Sequence, residues 1–113
     1  MIDIKDKVCD VLEEIGVPYG FVSKDEGDQQ FIVYNINSEK AFKYFEDEEG
    51  ITQYKITLNI FSVYDYTELK NKIDKKMKEH GFKKDYYPAC IYIENMRIYN
   101  QPMYFNYYEE GDY

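Results

Sequence analysis

The chain of 113 residues is poor in the side chains that usually do chemistry: it has one histidine, two cysteines and, among 14 basic residues, a single arginine, Arg97. His80 stands beside Gly81, at what reads as the end of a helix. There a lone histidine is better taken as a partner for the helix dipole than as a base or a ligand. Cys9 and Cys90 lie far apart in sequence, so no His/Cys spacing suits zinc. Two thiols are also too few for a disulfide framework, and in apolar surroundings both read as small buried hydrophobes. Long apolar runs are missing as well. The longest candidate, residues 51–66, is interrupted by Thr52, Gln53, Lys55, Thr57 and Asn59, far short of the roughly 20 apolar residues of a membrane span. Residues 1–6 lack the basic start and apolar stretch of a signal peptide, so a cytoplasmic protein is expected. The six glycines are scattered and form no phosphate-cradling loop.

Acid is plentiful. The 22 Asp and Glu outnumber the 14 Lys and Arg, for a formal charge of −8. Affinity for nucleic acid comes chiefly from cations that neutralise phosphates, so this balance argues against a DNA- or RNA-binding role. The one basic run, residues 70–78, carries Asp74 and is followed by Glu79, which reads as a solvated helix face laced with both signs. Two acidic clusters, Asp25, Glu26 and Asp28, and Glu46, Asp47, Glu48 and Glu49, lack the alternating oxygen ligands, central Gly and closing Glu of a calcium loop. Both read as solvated loops. The expectation is therefore a non-enzymatic protein with no catalytic residue, no cofactor and no metal. Tyrosine is the outlier at 14 residues, with 7 Phe beside it. AT-rich coding accounts for the larger part of this, but more aromatic surface remains than one small core needs, and tyrosine suits protein interfaces.

Hydrophobic periodicity predicts a helix over 3–15, with Ile4, Val8, Val11, Leu12 and Ile15 on one stripe, Asp3 as its cap, Gly16 as its stop and Pro18 beyond. Residues 23–30 read as a loop. Strands are predicted at 30–36, 40–46 and 51–63, the first two separated by a turn at Asn37-Ser38 and the last two by the acidic turn 46–50. The third alternates cleanly: Tyr54, Ile56, Leu58 and Ile60 for a core, Lys55, Thr57 and Asn59 for water. A second helix is predicted over 66–80, with Asp65 and Glu68 at capping-box spacing and Tyr66, Leu69, Ile73 and Met77 as its stripe. Strands at 89–98 and 103–108 follow, interrupted by Gln101-Pro102. The sum is one α+β domain spanning 1–113: an antiparallel sheet of about four to five strands with two helices packed on one face.

From residue 30 to 108 this layout resembles the tail completion and tail terminator (head-to-tail joining) family of long-tailed bacteriophages and prophages. The likeness lies in the long strand Ile51-Thr-Gln-Tyr-Lys-Ile-Thr-Leu-Asn-Ile-Phe-Ser62, the amphipathic helix opened by Asp65 to Leu69 and closed by Gly81-Phe82, and the aromatic strand Met103-Tyr-Phe-Asn-Tyr-Tyr108. Where relatives often carry a basic residue in that final strand, this chain has Tyr104 and Phe105. The resemblance implies an α+β fold without catalysis. It further implies assembly with copies of itself into a ring, possibly hexameric, against tail-tube or head-connector proteins, in the host cytoplasm and then the virion tail. By position, the loops holding Asp25, Glu26 and Asp28 and Glu46 to Glu49 are its candidate contacts. An acidic lumen would not hold passing DNA. Two other readings stand beside it. One is a small acidic phage-encoded inhibitor or adaptor that binds a host protein as a DNA mimic, though Lys residues break up nearly every acidic run. The other is a small enzyme or ligand-binding domain, which would need a deep pocket of tyrosine hydroxyls and carboxylates.

Overall fold

Two amphipathic helices and one long alternating strand set the architecture. The computed structural model describes residues 3–21, 29–43 and 50–110, and their side chains except at 38–43, 50 and 110. Helix α1 (Ile4–Ile15) buries Ile4, Val8, Val11, Leu12 and Ile15. The Asp3 carboxylate accepts from the Lys5 and Asp6 amides at 3.0 and 3.3 Å, satisfying two donors that the first turn leaves over. Gly16, at φ 84°, donates its N–H to the Leu12 carbonyl and ends the helix.

Helix α2 (Thr67–Glu79) buries Leu69, Ile73 and Met77. Asp65 does not form the expected capping box with Glu68. It sits one residue ahead of the cap and accepts from the amide and hydroxyl of Thr67 at 2.9 and 2.7 Å. At the other end Gly81 has φ 89°; its N–H reaches the Lys78 carbonyl and the Phe82 N–H reaches the Met77 carbonyl, both at 3.0 Å. That is the Schellman motif, and it turns Phe82 inward as the apolar residue that seals the helix end.

Six strands form one sheet: β1 (Tyr19–Phe21), β2 (Gln30–Lys43), β3 (Gly50–Ser62), β4 (Lys83–Tyr86), β5 (Ile91–Ile93) and β6 (Ile98–Glu110). Their order is β1-β2-β3-β6-β4, with β5 also on β6; β1 runs parallel to β2 and every other pair is antiparallel. The domain is α+β as expected, with six strands instead of four to five. One face of the sheet presents Ile32, Tyr34, Ile56, Leu58, Ile60, Met103 and Phe105, which join the apolar stripes of both helices in a single core. Both helices therefore lie on the same face.

Four strand predictions need correction. The expected turn at Asn37-Ser38 is a β-bulge inside one continuous strand: the β2–β3 register shifts between Ile36 and Ser38. Of the predicted strand 40–46, residues 40–43 belong to β2, and 44–46 lie outside the described residues. Within the predicted strand 89–98 only Ile91–Ile93 and Ile98 are extended, because a turn at 94–97 with Arg97 at φ 53° separates β5 from β6.

Gln101-Pro102 does not interrupt the last strand. Pro102 sits within β6, opposite Asn59. It is tolerated because the other flank of β6 is open there: β5 pairs with residues 98–100 and β4 with 104–106, so nothing on that side asks for the missing N–H. The neighbouring Gln101 side chain, buried at 2% exposure, fills the gap. Its Nε2 donates to the carbonyls of Pro88 and Pro102 at 2.7 and 2.8 Å.

Candidate functional site

None of the seven carboxylates expected to make contacts can be placed: Asp25, Glu26, Asp28, Glu46, Asp47, Glu48 and Glu49 all lie outside the described residues. His80 caps α2 as expected, and its Nε2 also lies 2.6 Å from Glu14 on α1. Lys76 reaches the same carboxylate at 3.4 Å, and Lys72 Nζ donates to the Ile15 carbonyl at 3.0 Å, so the C-terminal half of α2 clasps the end of α1. Burial pushes the Glu14 carboxyl up, but the His80 and Lys76 partners outweigh it and hold the group below its ordinary value. A carboxylate depressed in the folded state contributes stability above its unfolded pKa and loses it as pH falls through the folded value. Replacing Glu14 with Gln is therefore expected to flatten the acid limb of stability. Urea midpoints taken from about pH 7 down to about pH 3 check this.

Both cysteines are half-buried free thiols, not the fully buried hydrophobes expected, and each lies beside a tyrosine. Cys9 Sγ is 3.2 Å from the Tyr34 hydroxyl, and Cys90 neighbours Tyr66. Wherever a phenol is shifted it moves up. Tyr19 is pushed to about 12 by its 2.5 Å bond to Glu13 and then by burial. Tyr66 is pushed to about 12 by burial and then by Cys90. Tyr34 and Tyr87 rise further, chiefly through burial, with the Asp74 carboxylate 2.5 Å from Tyr87 adding to it. These hydroxyls stay protonated, and those of Tyr19, Tyr66 and Tyr87 serve as hydrogen-bond donors. Two surface hollows flank the end of α1. One, of 390 Å³, includes Leu12, Glu13, Pro18 and Tyr19; the other, of 280 Å³, includes Gln30, Tyr64, Asp65, Glu68 and Lys72. Each gathers a single tyrosine, short of the converging hydroxyls that a pocket-based reading asks for. Among the described residues no group of three or more His, Cys, Asp or Glu could hold a metal ion, and no helix is long and apolar enough to cross a membrane.

The open parts of the sheet are the larger feature. At about 3.3 Å per residue the 13- and 14-residue strands run roughly 43–46 Å, whereas the 12- and 13-residue helices span about 18–20 Å. Each helix is thus less than half as long as the strands it packs on. The core closes at Tyr54 and Tyr107, whose rings lie 6.5 Å apart, with Phe82 5.1 Å from Tyr107 and Lys7 over its face. Beyond that point β2, β3 and β6 continue as a three-stranded arm. Because β1 pairs only with residues 32–34 of β2, and β4 ends opposite Asn106, both edges of the arm lack a strand partner among the described residues.

On the face of the sheet opposite the helices no described helix or strand packs. Cross-strand partners share a face, which puts Phe31, Phe61, Asn100 and Ile91 in one row, Val33, Asn59 and Pro102 in the next, and Asn35, Thr57, Tyr104 and Tyr86 in a third. Phe31 and Phe61 stack at 5.2 Å, Tyr86 and Tyr104 pack at 5.1 Å, and Asn100 donates to Asn59 at 3.3 Å. Thr57 was expected to face water; it does lie on this side, yet it is only 5% exposed. Val33 and Ile98 are buried here too, apart from the core beneath the helices. The row was beyond reach of sequence reasoning, because it exists only once four strands are in register. No protein-family model matches the chain, and no curated protein matches it.

Proposed function

We propose that this chain is a non-enzymatic structural protein of a phage or prophage tail, one that joins the tail tube to the head connector or ends tail growth through protein–protein contacts. The observation that supports it best is the three-stranded arm beyond Tyr54 and Tyr107, with two strand edges that no described residue completes. A strand edge offers rows of backbone donors and acceptors, which other subunits can satisfy by strand addition. An isolated monomer gains little from extending a sheet so far past its core; a subunit held between neighbours does. The acid excess fits the same role, since repulsion at −8 disfavours closing a ring of many chains until a template collects them.

The family resemblance in the long strand, the amphipathic helix and the aromatic final strand supplies the rest of the reading. In it, copies of the chain form a ring and the acidic loops at 23–30 and 46–50 meet neighbouring tail proteins. The test is electron microscopy of particles made after deletion of the gene. Unjoined heads and tails, or tails of abnormal length, are expected. Normal, full-length, head-joined particles would sink the proposal, and capture of only a host nuclease or polymerase in a pull-down would favour an inhibitor instead.

A further inference from the structure

We infer that the sheet face opposite the helices is a docking surface for a second copy of this chain, the two faces meeting about a two-fold axis as a sheet-on-sheet sandwich. The first argument is charge. The chain carries 22 acidic and 14 basic residues, yet the described positions of this face from Val63 to Thr57 on the three long strands β2, β3 and β6 hold no charged residue; the nearest described charges are Asp85, in the bulge of edge strand β4 beside Tyr86, and Lys55 and Lys83, one row further out. Two chains of charge −8 repel over most of their surfaces. This face is where they can meet without setting like charges together.

The second argument is composition. Phe31, Phe61 and Ile93 are half-buried, Val63 and Ile91 are 43% and 55% exposed, and Val33 already lies buried among them. Depletion of charge together with aromatic side chains marks the cores of interfaces, and scattered surface apolars do not line up in rows as these do. The amides of Asn59 and Asn100 each carry a donor and an acceptor, so an identical face can answer them. Sheets pack face to face at about −30°, which lets two such rows interdigitate. Four strands wide and about eight residues long, the area is on the order of 500 Å² per partner in outline, so about 1,000 Å² in total, at the low end for a specific interface.

The inference is separate from the tail reading, because a two-fold pair forms whether or not the chain later joins a ring. Sedimentation equilibrium of the full chain, from about 1 to about 200 μM, tests it. A monomer–dimer equilibrium is expected. Phe61→Glu and Ile91→Glu, which set like charges across the axis, should each raise the dissociation constant at least about tenfold, while Asn71→Glu on the exposed side of α2 should leave it unchanged. Ile91 is exposed on a short edge strand, so its variant reports on the contact even if Phe61→Glu fails to fold by circular dichroism. A chain that stays monomeric throughout, a dimer indifferent to Ile91→Glu, or one weakened equally by Asn71→Glu would each overturn the inference. All three results leave the deletion phenotype as a separate question.

Discussion

Phe82→Ala is expected to lower the unfolding free energy by about 3–5 kcal/mol, in the range of large-to-small aromatic substitutions in packed cores. Phe82 is 2% exposed and lies immediately after the left-handed Gly81, where the Schellman bonds fix its direction. Three elements depend on it. Its ring packs against Tyr107 of β6 at 5.1 Å, Lys7 of α1 lies 5.8 Å from its centroid, and its own amide closes the end of α2. Removing the ring opens a cavity where both helices meet the sheet, and β4 starts at the next residue, so its pairing loosens as well. Urea denaturation measures the loss. A change under about 1 kcal/mol would mean that the site collapses around the missing ring.

The second large effect is expected at Gln101. Replacing it with Leu keeps the bulk but removes the amide that donates to the Pro88 and Pro102 carbonyls and accepts from Tyr66 at 3.5 Å. Leaving buried acceptors unmet costs about 1–3 kcal/mol. The loss should have a local signature. Amides of β5 and of residues 98–100 of β6 should exchange faster, because Gln101 is what ties the 87–90 crossing to the broken flank of the sheet. Uniform acceleration across α1 as well would show that the amide supports the whole core and not this seam.

Where side chains alone decide the structure, the chain was legible. The stripe from Ile4 to Ile15, bracketed by Asp3 and Gly16, marks α1 almost to the residue, and the alternation from Tyr54 to Ile60 marks both β3 and its core face. Elements held by backbone pairing were not. β1 is three residues whose only strand partner is β2, and β4, Lys-Lys-Asp-Tyr, is exposed at every position, so neither shows a hydrophobic period. Asn37-Ser38 has the composition of a turn and Gln101-Pro102 that of a break. Each is overridden by a long neighbour, β3, that pairs straight through. The site followed the same division. The acidic residues singled out as contacts fall outside the described residues, and the neutral face depends on the register of β2, β3, β6 and β5, which no single segment carries. What composition did foreshadow was a surplus of aromatic surface, part of which stands on that face at Phe31, Phe61, Tyr86 and Tyr104.

The position of β6 has a consequence for how the chain reaches this state. It is the last strand in sequence but lies between β3 and β4, and it supplies Met103 and Phe105 to the core. Its partners in β3 are remote: Leu58 pairs with Met103 and Thr52 with Glu109. Loop closure over such spans comes before any contact rewards it, so topologies of this kind cross their barrier slowly, on the order of milliseconds to seconds. Until β6 inserts, the β2–β3 hairpin and the two helices have apolar faces and no centre. Refolding should therefore be a search for one strand, and during that search the unfilled slot beside β3 can accept a strand from another chain as readily as its own.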